Sequence, residues 1–211
     1  MYIVFEGVDK VGKSTQAKML NEYLEHRWIK DVTGEPLSVL VSEPSDDAFG
    51  KKIRELTLSK EIETTSAASF LLYLASMANN AKKLNEFKKQ NIHIIGDRSF
   101  LSTMVYQSLY AAKLDPKEIL RTVLLCGIPV PDMVILLRPE NSNLIVGRPN
   151  KDSLDSRLTK GMVEDIDAAY ADIVCSSFSH KTIVVKEGDS KHDVNRQVLS
   201  FIEPMLVGRK K

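Results

Sequence analysis

The chain is poor in cysteine. Its two, Cys126 and Cys175, are far apart and lack the spacing of a metal site or a disulfide framework. Both stand in largely apolar stretches and read as buried thiols of a reducing compartment. A surplus of one charge is also missing, since 29 basic residues meet 28 acidic ones. That balance argues against a nucleic-acid binder held by bulk charge, so any basic site must be local. No apolar run approaches the roughly 20 residues needed to span a bilayer. The opening residues lack the charged start and apolar run of a secretory signal, because Glu6 and Asp9 interrupt them. Internal repeats and low-complexity segments are absent. The four histidines are scattered, so no histidine-based catalytic pair is expected, and His93 reads as structural. These absences lead to the expectation of a cytoplasmic protein with neither a membrane nor a nucleic acid as partner.

What is present is a core and a motif. A chain of 211 residues, 43% hydrophobic, fits a single domain spanning residues 1–211. Tyr2-Ile3-Val4-Phe5 is strand-like and runs into Gly7, Val8, Asp9, Lys10, Val11, Gly12, Lys13 and Ser14, with Thr15 next. This is G-x-x-x-x-G-K-S, the phosphate-binding loop. Its glycines let backbone N–H groups converge on phosphate oxygens, its lysine reaches the outer phosphates, and its serine hydroxyl coordinates Mg²⁺. A helix from about Lys13 to Arg27 adds its positive N-terminal end.

Four more apolar runs read as strands: 38–42, 92–95, 133–137 and 182–185. Helical patterns separate them, at about 49–58, 66–89, 101–112, from Pro116, at 161–176 and from Ser190. The first half of the 66–89 stretch is apolar nearly all round and is expected to be buried. Ser190 and Asp193 stand at capping-box spacing. Residues 139–160 are polar and without a period, and read as a mobile loop. Five strands alternating with helices predict an α/β fold, a five-stranded parallel sheet with helices on both faces. Ligands of such sheets bind beyond the carboxyl ends of the strands, here Glu6/Gly7, Glu43/Pro44, Asp97/Arg98 and Arg138/Pro139.

Those ends carry the parts of phosphoryl transfer, which depends on positioning and charge neutralisation. Lys13, with Mg²⁺ on Ser14, would hold the donor phosphates. Asp97 at the end of a buried strand fits a Mg²⁺ contact. Arg98 and Arg54 match a second, acceptor anion. A phosphate monoester acceptor, with a second pKa of about 6, is already nucleophilic near neutrality. Plainer readings stand beside these: Asp97-Arg98 as a structural ion pair, Arg54 on a solvated helix face, and Tyr73 as core.

Taken in order, Phe5-Glu6-Gly7-Val8-Asp9, Glu43-Pro44, Gly50 to Arg54, Asp97-Arg98, Ser102, Tyr106-Gln107 and Pro131-Asp132 resemble the thymidylate kinase family of P-loop nucleoside monophosphate kinases. The resemblance covers most of the chain. It implies a three-layer P-loop kinase fold, ATP and Mg²⁺ as cofactors, conversion of dTMP to dTDP in nucleotide biosynthesis, and a homodimer. It implies ATP binding by residues 7–15 and catalytic roles for Lys13, Lys10, Asp9 and Arg98, with Lys10 bringing a cation to the transferring phosphate. Asp9 would face the acceptor sugar, Arg54 and Arg98 the acceptor phosphate, and Tyr73 the face of the thymine. Ser102 and Thr103 would lie near the base edge, and Tyr106 would disfavour a 2′-hydroxyl. Segment 139–160 resembles the lid over ATP, with Arg148 and Arg157 as its candidate cations.

Several positions depart from the family pattern. Met77 stands where an arginine bonds the thymine carbonyl, and its neighbours Ser76, Asn79 and Asn80 also differ. Ser99, Ser45-Asp46 and Arg138 replace a tyrosine, two glycines and an aspartate. Loss of a charged hydrogen bond in the base pocket costs roughly 1.5–3 kcal/mol if nothing replaces it. A same-fold kinase of different or broader deoxynucleoside monophosphate preference is therefore the alternative. A GTP-binding switch fits less well, because 150–153 and 97–100 lack its guanine-reading and metal-end motifs. A nucleotide-binding module without catalysis would need Lys13, Ser14, Asp97 and Arg98 to be idle.

Overall fold

A computed structural model describes residues 1–27, 37–59, 61–109, 114–146 and 158–207. Its five strands are β1 (Tyr2–Glu6), β2 (Ser38–Ser42), β3 (His93–Asp97), β4 (Met133–Pro139) and β5 (His180–Val185). All pair in parallel, in the order β2-β3-β1-β4-β5. β1 is buried along its whole length, as a central strand covered on both faces must be. Edge strand β5 is buried at Ile183 and Val185 and exposed at Lys181 and Val184, the alternation of a half-covered strand.

Among the described residues the helices are α1 (Lys13–Arg27), α2 (Ala48–Leu58), α3 (Ser66–Lys89), α4 (Phe100–Leu109), α5 (Pro116–Leu125), α6 (Lys160–Ser177) and α7 (Lys191–Val207), with a 3₁₀ turn at Ser142–Leu144. α1 packs on the sheet and on α7, while α4 joins α3, α5 and α6 in a second layer. The chain leaves β1 for β2 on one side and later crosses to β4 on the other. The carboxyl ends of β1, β3 and β4 therefore meet at a topological switch point, where a cleft is expected.

Sequence signals set several helix starts. Asp115 caps α5 with Pro116 in its first turn, and Thr65 caps α3 by accepting from the Ala68 N–H. Ser190 and Asp193 exchange the two hydrogen bonds of a capping box at the start of α7. Three expectations need correction. Cys126 and Cys175 are exposed: Cys126 ends α5 beyond its buried Ile119 and Val123, and Cys175 turns away from the buried stripe of α6. The front of α3 is not buried all round, since Leu71 is 62% exposed and only the side carrying Leu74 and Met77 faces inward. Arg138 and Pro139 continue β4 rather than closing it. Residues 110–112, expected to extend α4, lie outside the described residues, as do Arg148 and Arg157. Among the described residues no helix is long and apolar enough to cross a membrane.

Candidate active site

A cleft of about 990 Å³ opens at the strand ends. It brings together Asp9, Lys10, Gly12, Lys13, Ser14 and Thr15 from the first loop, Arg54 from α2, Tyr73 and Met77 from α3, and Asp97, Arg98, Ser102, Thr103 and Tyr106 from β3 and α4. Gly7, Val8 and Val11 do not line it, because they lie beneath the loop as its support. At Gly7, φ is +135°, and a Cβ would stand 2.1 Å from the Leu137 carbonyl oxygen, so only glycine lets the loop press on β4. At Gly12, φ is +114° with nothing within 4 Å of a would-be Cβ, which leaves the cradle open.

Lys13 is buried, donates to the Val8 carbonyl at 2.7 Å and lies 3.8 Å from Asp9. Its ammonium therefore bends over the loop that would hold phosphates. Lys10 and Arg98 adopt left-handed backbone with φ of 66° and 71°, which costs a residue bearing a Cβ some free energy and marks both as held in place.

Arg98 sits on a buried polar shelf. Glu6, wholly buried at the end of β1, accepts from the Ser99 N–H at 2.7 Å and from the Ser99 and Ser102 hydroxyls at 2.8 Å each. Arg98 Nη1 donates to Ser102 Oγ at 2.8 Å and to the Tyr170 hydroxyl at 3.2 Å. Its other nitrogen, Nη2, pairs with Asp9, which also accepts from the Tyr106 hydroxyl at 2.9 Å. Burial pushes the Glu6 carboxyl up, against the opposing pull of Arg98, Ser102 and Ser99. Burial also works against the Arg98 charge, but the facing Tyr170, Tyr106 and Glu6 outweigh it and hold the guanidinium proton more firmly than usual. Asp97 and Arg98 do not pair with each other, so the plain ion-pair reading fails; the partner of Arg98 is Asp9.

Arg54 and Tyr73 face the cleft, and the Tyr73 hydroxyl donates to Thr57 Oγ1 at 3.2 Å. Helix α2 is anchored by Asp47, which accepts from the Gly50 N–H at 2.7 Å and from Ser45 Oγ at 2.9 Å. Arg138 does not reach the cleft: it makes a forked pair with Asp167 on α6, with Nη2 2.6 Å from Oδ2.

Sequence reasoning gave no role to Tyr170 or to Glu6. A carboxylate inside an otherwise apolar strand was the available signal for Glu6. Tyr170 lies 72 residues from Arg98, and nothing local announces their contact. Asp97 Oδ1 is buried with no hydrogen-bond partner among the described residues, in the cleft that also exposes Ser14. Hard oxygen donors of this kind fit a magnesium ion that keeps water and phosphate as its other ligands. Among the described residues no group of three or more His, Cys, Asp or Glu forms a cage for a metal.

Comparison with known proteins gives one answer. The family model for thymidylate kinase matches residues 5–197. A thymidylate kinase of Campylobacter jejuni subsp. doylei is 30% identical over 210 residues, covering 96% of this chain and 100% of that protein. A probable thymidylate kinase of Methanosphaera stadtmanae is 31% identical over 211 residues, again covering 96% and 100%. In fold, the chain is similar to thymidylate kinase from Ehrlichia chaffeensis, with a TM-score of 0.73 at 23% identity over 96% of this chain and 98% of that one. The enzyme from Candida albicans gives 0.72 at 20%, over 96% and 91%. Matched from β1 to α7, and at full length in its relatives, the chain belongs to the thymidylate kinase family.

Proposed function

We propose that the chain transfers the γ-phosphoryl group of ATP to the 5′-phosphate of dTMP, giving ADP and dTDP for nucleotide biosynthesis. The observation that carries this reading is the pairing of two anion sites across Asp9. Lys13 and the first loop serve the donor on one side, and Arg98 on its Glu6 shelf serves the acceptor on the other. An acceptor phosphate oxygen forms the new bond to phosphorus as the bond to ADP breaks, and no general base is needed. Lys10 adds a cation at the loop, and Arg54 approaches the acceptor phosphate from α2. Ser14 and Asp97 would hold Mg²⁺, which neutralises charge on the donor phosphates when bound. Tyr106, tied to Asp9, would stand against a 2′-hydroxyl, with Tyr73 over the base and Ser102 and Thr103 along α4.

The same reading treats residues 1–211 as one domain with 139–160 as its lid. It takes the protein to be cytoplasmic, where both nucleotides are available. A homodimer belongs to it as well, supported by the exposed apolar front of α3 at Leu71. A broader deoxynucleoside monophosphate acceptor range is the second reading. It is favoured by Met77, which is buried in the cleft wall and brings no hydrogen bond to a base. The Candida albicans relative is itself an enzyme of broad substrate specificity. Steady-state comparison of dTMP with dUMP, dCMP and dGMP separates the two: dTMP is expected to give the highest kcat/KM, and the lowest value for dTMP would overturn the first reading.

A further inference from the structure

Helix α6 meets the cleft along one stripe. Met162, Ile166 and Tyr170 follow one another at intervals of four and share a face of the helix. Met162 and Ile166 line the cleft, and Tyr170, one turn further on, is wholly buried against Arg98. A phenylalanine would fill the same space, but the hydroxyl has partners that phenylalanine would leave stranded. It lies 2.8 Å from Ser102 Oγ and 3.2 Å from Arg98 Nη1. The direction of these bonds follows from the hydrogens available. Ser102 has one hydroxyl hydrogen, and it goes to Glu6 Oε2 at 2.8 Å. Ser102 Oγ is therefore an acceptor toward Tyr170, and its two lone pairs receive the Tyr170 O–H and one Arg98 Nη1–H. Burial first, and then the Glu6 charge, push the Tyr170 phenol well above its ordinary value, so the hydrogen stays on it. The Tyr170 oxygen, donating to Ser102, accepts the second Nη1 hydrogen. Both hydrogens of Nη1 are thus held in a closed triangle of Arg98, Ser102 and Tyr170 that stands on Glu6.

We propose that Tyr170 is a positioning residue for the acceptor phosphate: its hydroxyl fixes the plane of the Arg98 guanidinium and so makes α6 part of the acceptor-phosphate site. This rests on the reading of Arg98 as the residue that binds that phosphate. A forked contact with phosphate oxygens needs N–H groups held in one plane. Three anchored contacts, to Ser102, Tyr170 and Asp9, define a plane. Without the Tyr170 hydroxyl two contacts remain, and the guanidinium can rock about the line between them. The ring of Tyr106 lies 6.0 Å from the guanidinium carbon, at the limit of a cation–π contact, and does not replace a hydrogen bond. Among the described residues Nε and the second Nη2 hydrogen have no partner, which leaves two donors for an incoming phosphate.

The test pairs a side-chain change with a ligand change. Tyr170→Phe removes the hydroxyl and keeps the ring. Calorimetric binding of dTMP and of thymidine separates the acceptor phosphate from the rest of the nucleotide. Wild type is expected to bind dTMP more tightly than thymidine, and Tyr170→Phe to lose about tenfold in dTMP affinity, the worth of a hydrogen bond to a charged group. Its thymidine affinity should stay within about twofold of wild type, which also shows that the variant is folded. In an Arg98→Lys background, with no fork to hold, Tyr170→Phe should change dTMP binding by less than about twofold. In turnover the KM for dTMP should rise and that for ATP should not. Equal losses of thymidine and dTMP binding, or an undiminished effect of Tyr170→Phe in the Arg98→Lys background, would overturn the proposal, since a merely structural role acts on both ligands and in both backgrounds. A wild type that binds dTMP no more tightly than thymidine would overturn it together with the reading of Arg98. A loss confined to dTMP binding, in a wild type that does not phosphorylate dTMP, would support the role of Tyr170 and count against the proposed function alone.

Discussion

Glu43 shows how a single residue ties the cleft to stability. It is 9% exposed at the end of β2, and Asn80 Nδ2 donates to its side chain at 3.4 Å. Burial pushes its carboxyl up to about 7, the Asn80 bond pulls it down, and like-charged Asp47 adds to the rise. The folded state thus keeps a proton that an unfolded glutamate releases near 4.5. Between those values the folded state binds more protons, so stability is full below about 4.5 and is lost as pH rises to about 7. The loss is on the order of 3 kcal/mol, because each pH unit across that window is worth about 1.4 kcal/mol. Urea unfolding of ligand-free wild type and Glu43→Gln at pH 5 and pH 8 checks this. Wild type should lose that much more stability than the variant between the two conditions, and parallel behaviour would refute the assignment. At this scale the sequence spoke unevenly. The places of Lys13, Ser14, Asp97 and Arg98 along the cleft were legible because motif and strand ends announce them. Glu6, Tyr170 and the pairing of Arg98 with Asp9 were not, because each depends on contacts between residues remote in sequence.

Among the elements, α2 illustrates how local capping reaches the site. Its N-cap Asp47 holds the Gly50 N–H and Ser45, and hydrogen bonds to the Gly50 N–H above all keep its carboxyl below the usual range. The helix carries Arg54 into the cleft. Asp47→Ala should cost about 1 kcal/mol in unfolding free energy, the usual worth of a cap. It should also raise the KM for the acceptor nucleotide several-fold while leaving the KM for ATP within twofold. An equal rise in both would show that α2 does not serve the acceptor alone. Helix and strand positions were largely readable because caps and apolar periods are local signals, as the Ser190–Asp193 box shows. The covering of α3 was not readable. A run such as Phe70 to Leu74 does not reveal which of its sides meets another element, and Leu71 proves to be exposed.

At the scale of the whole molecule, the alternation of strands and helices pointed to a parallel sheet, but strand order came only with the fold. β1 lies between β3 and β4, and this places its loop at the switch point. From that placement follow the nearness of Asp9 to Arg98 and the two-sided cleft. The central claim is that this cleft moves a phosphoryl group from ATP on Lys13 to dTMP on Arg98. Formation of dTDP from ATP, Mg²⁺ and dTMP, followed by ³¹P NMR in wild type and Lys13→Ala, tests it most directly. Wild type is expected to form one dTDP per ADP. The variant is expected to react more slowly by about 100-fold or more, with an unchanged far-UV circular dichroism spectrum. A wild type that forms no dTDP, or a Lys13→Ala protein within about threefold of wild type where loss of a main phosphate-binding charge should cost far more, would contradict it.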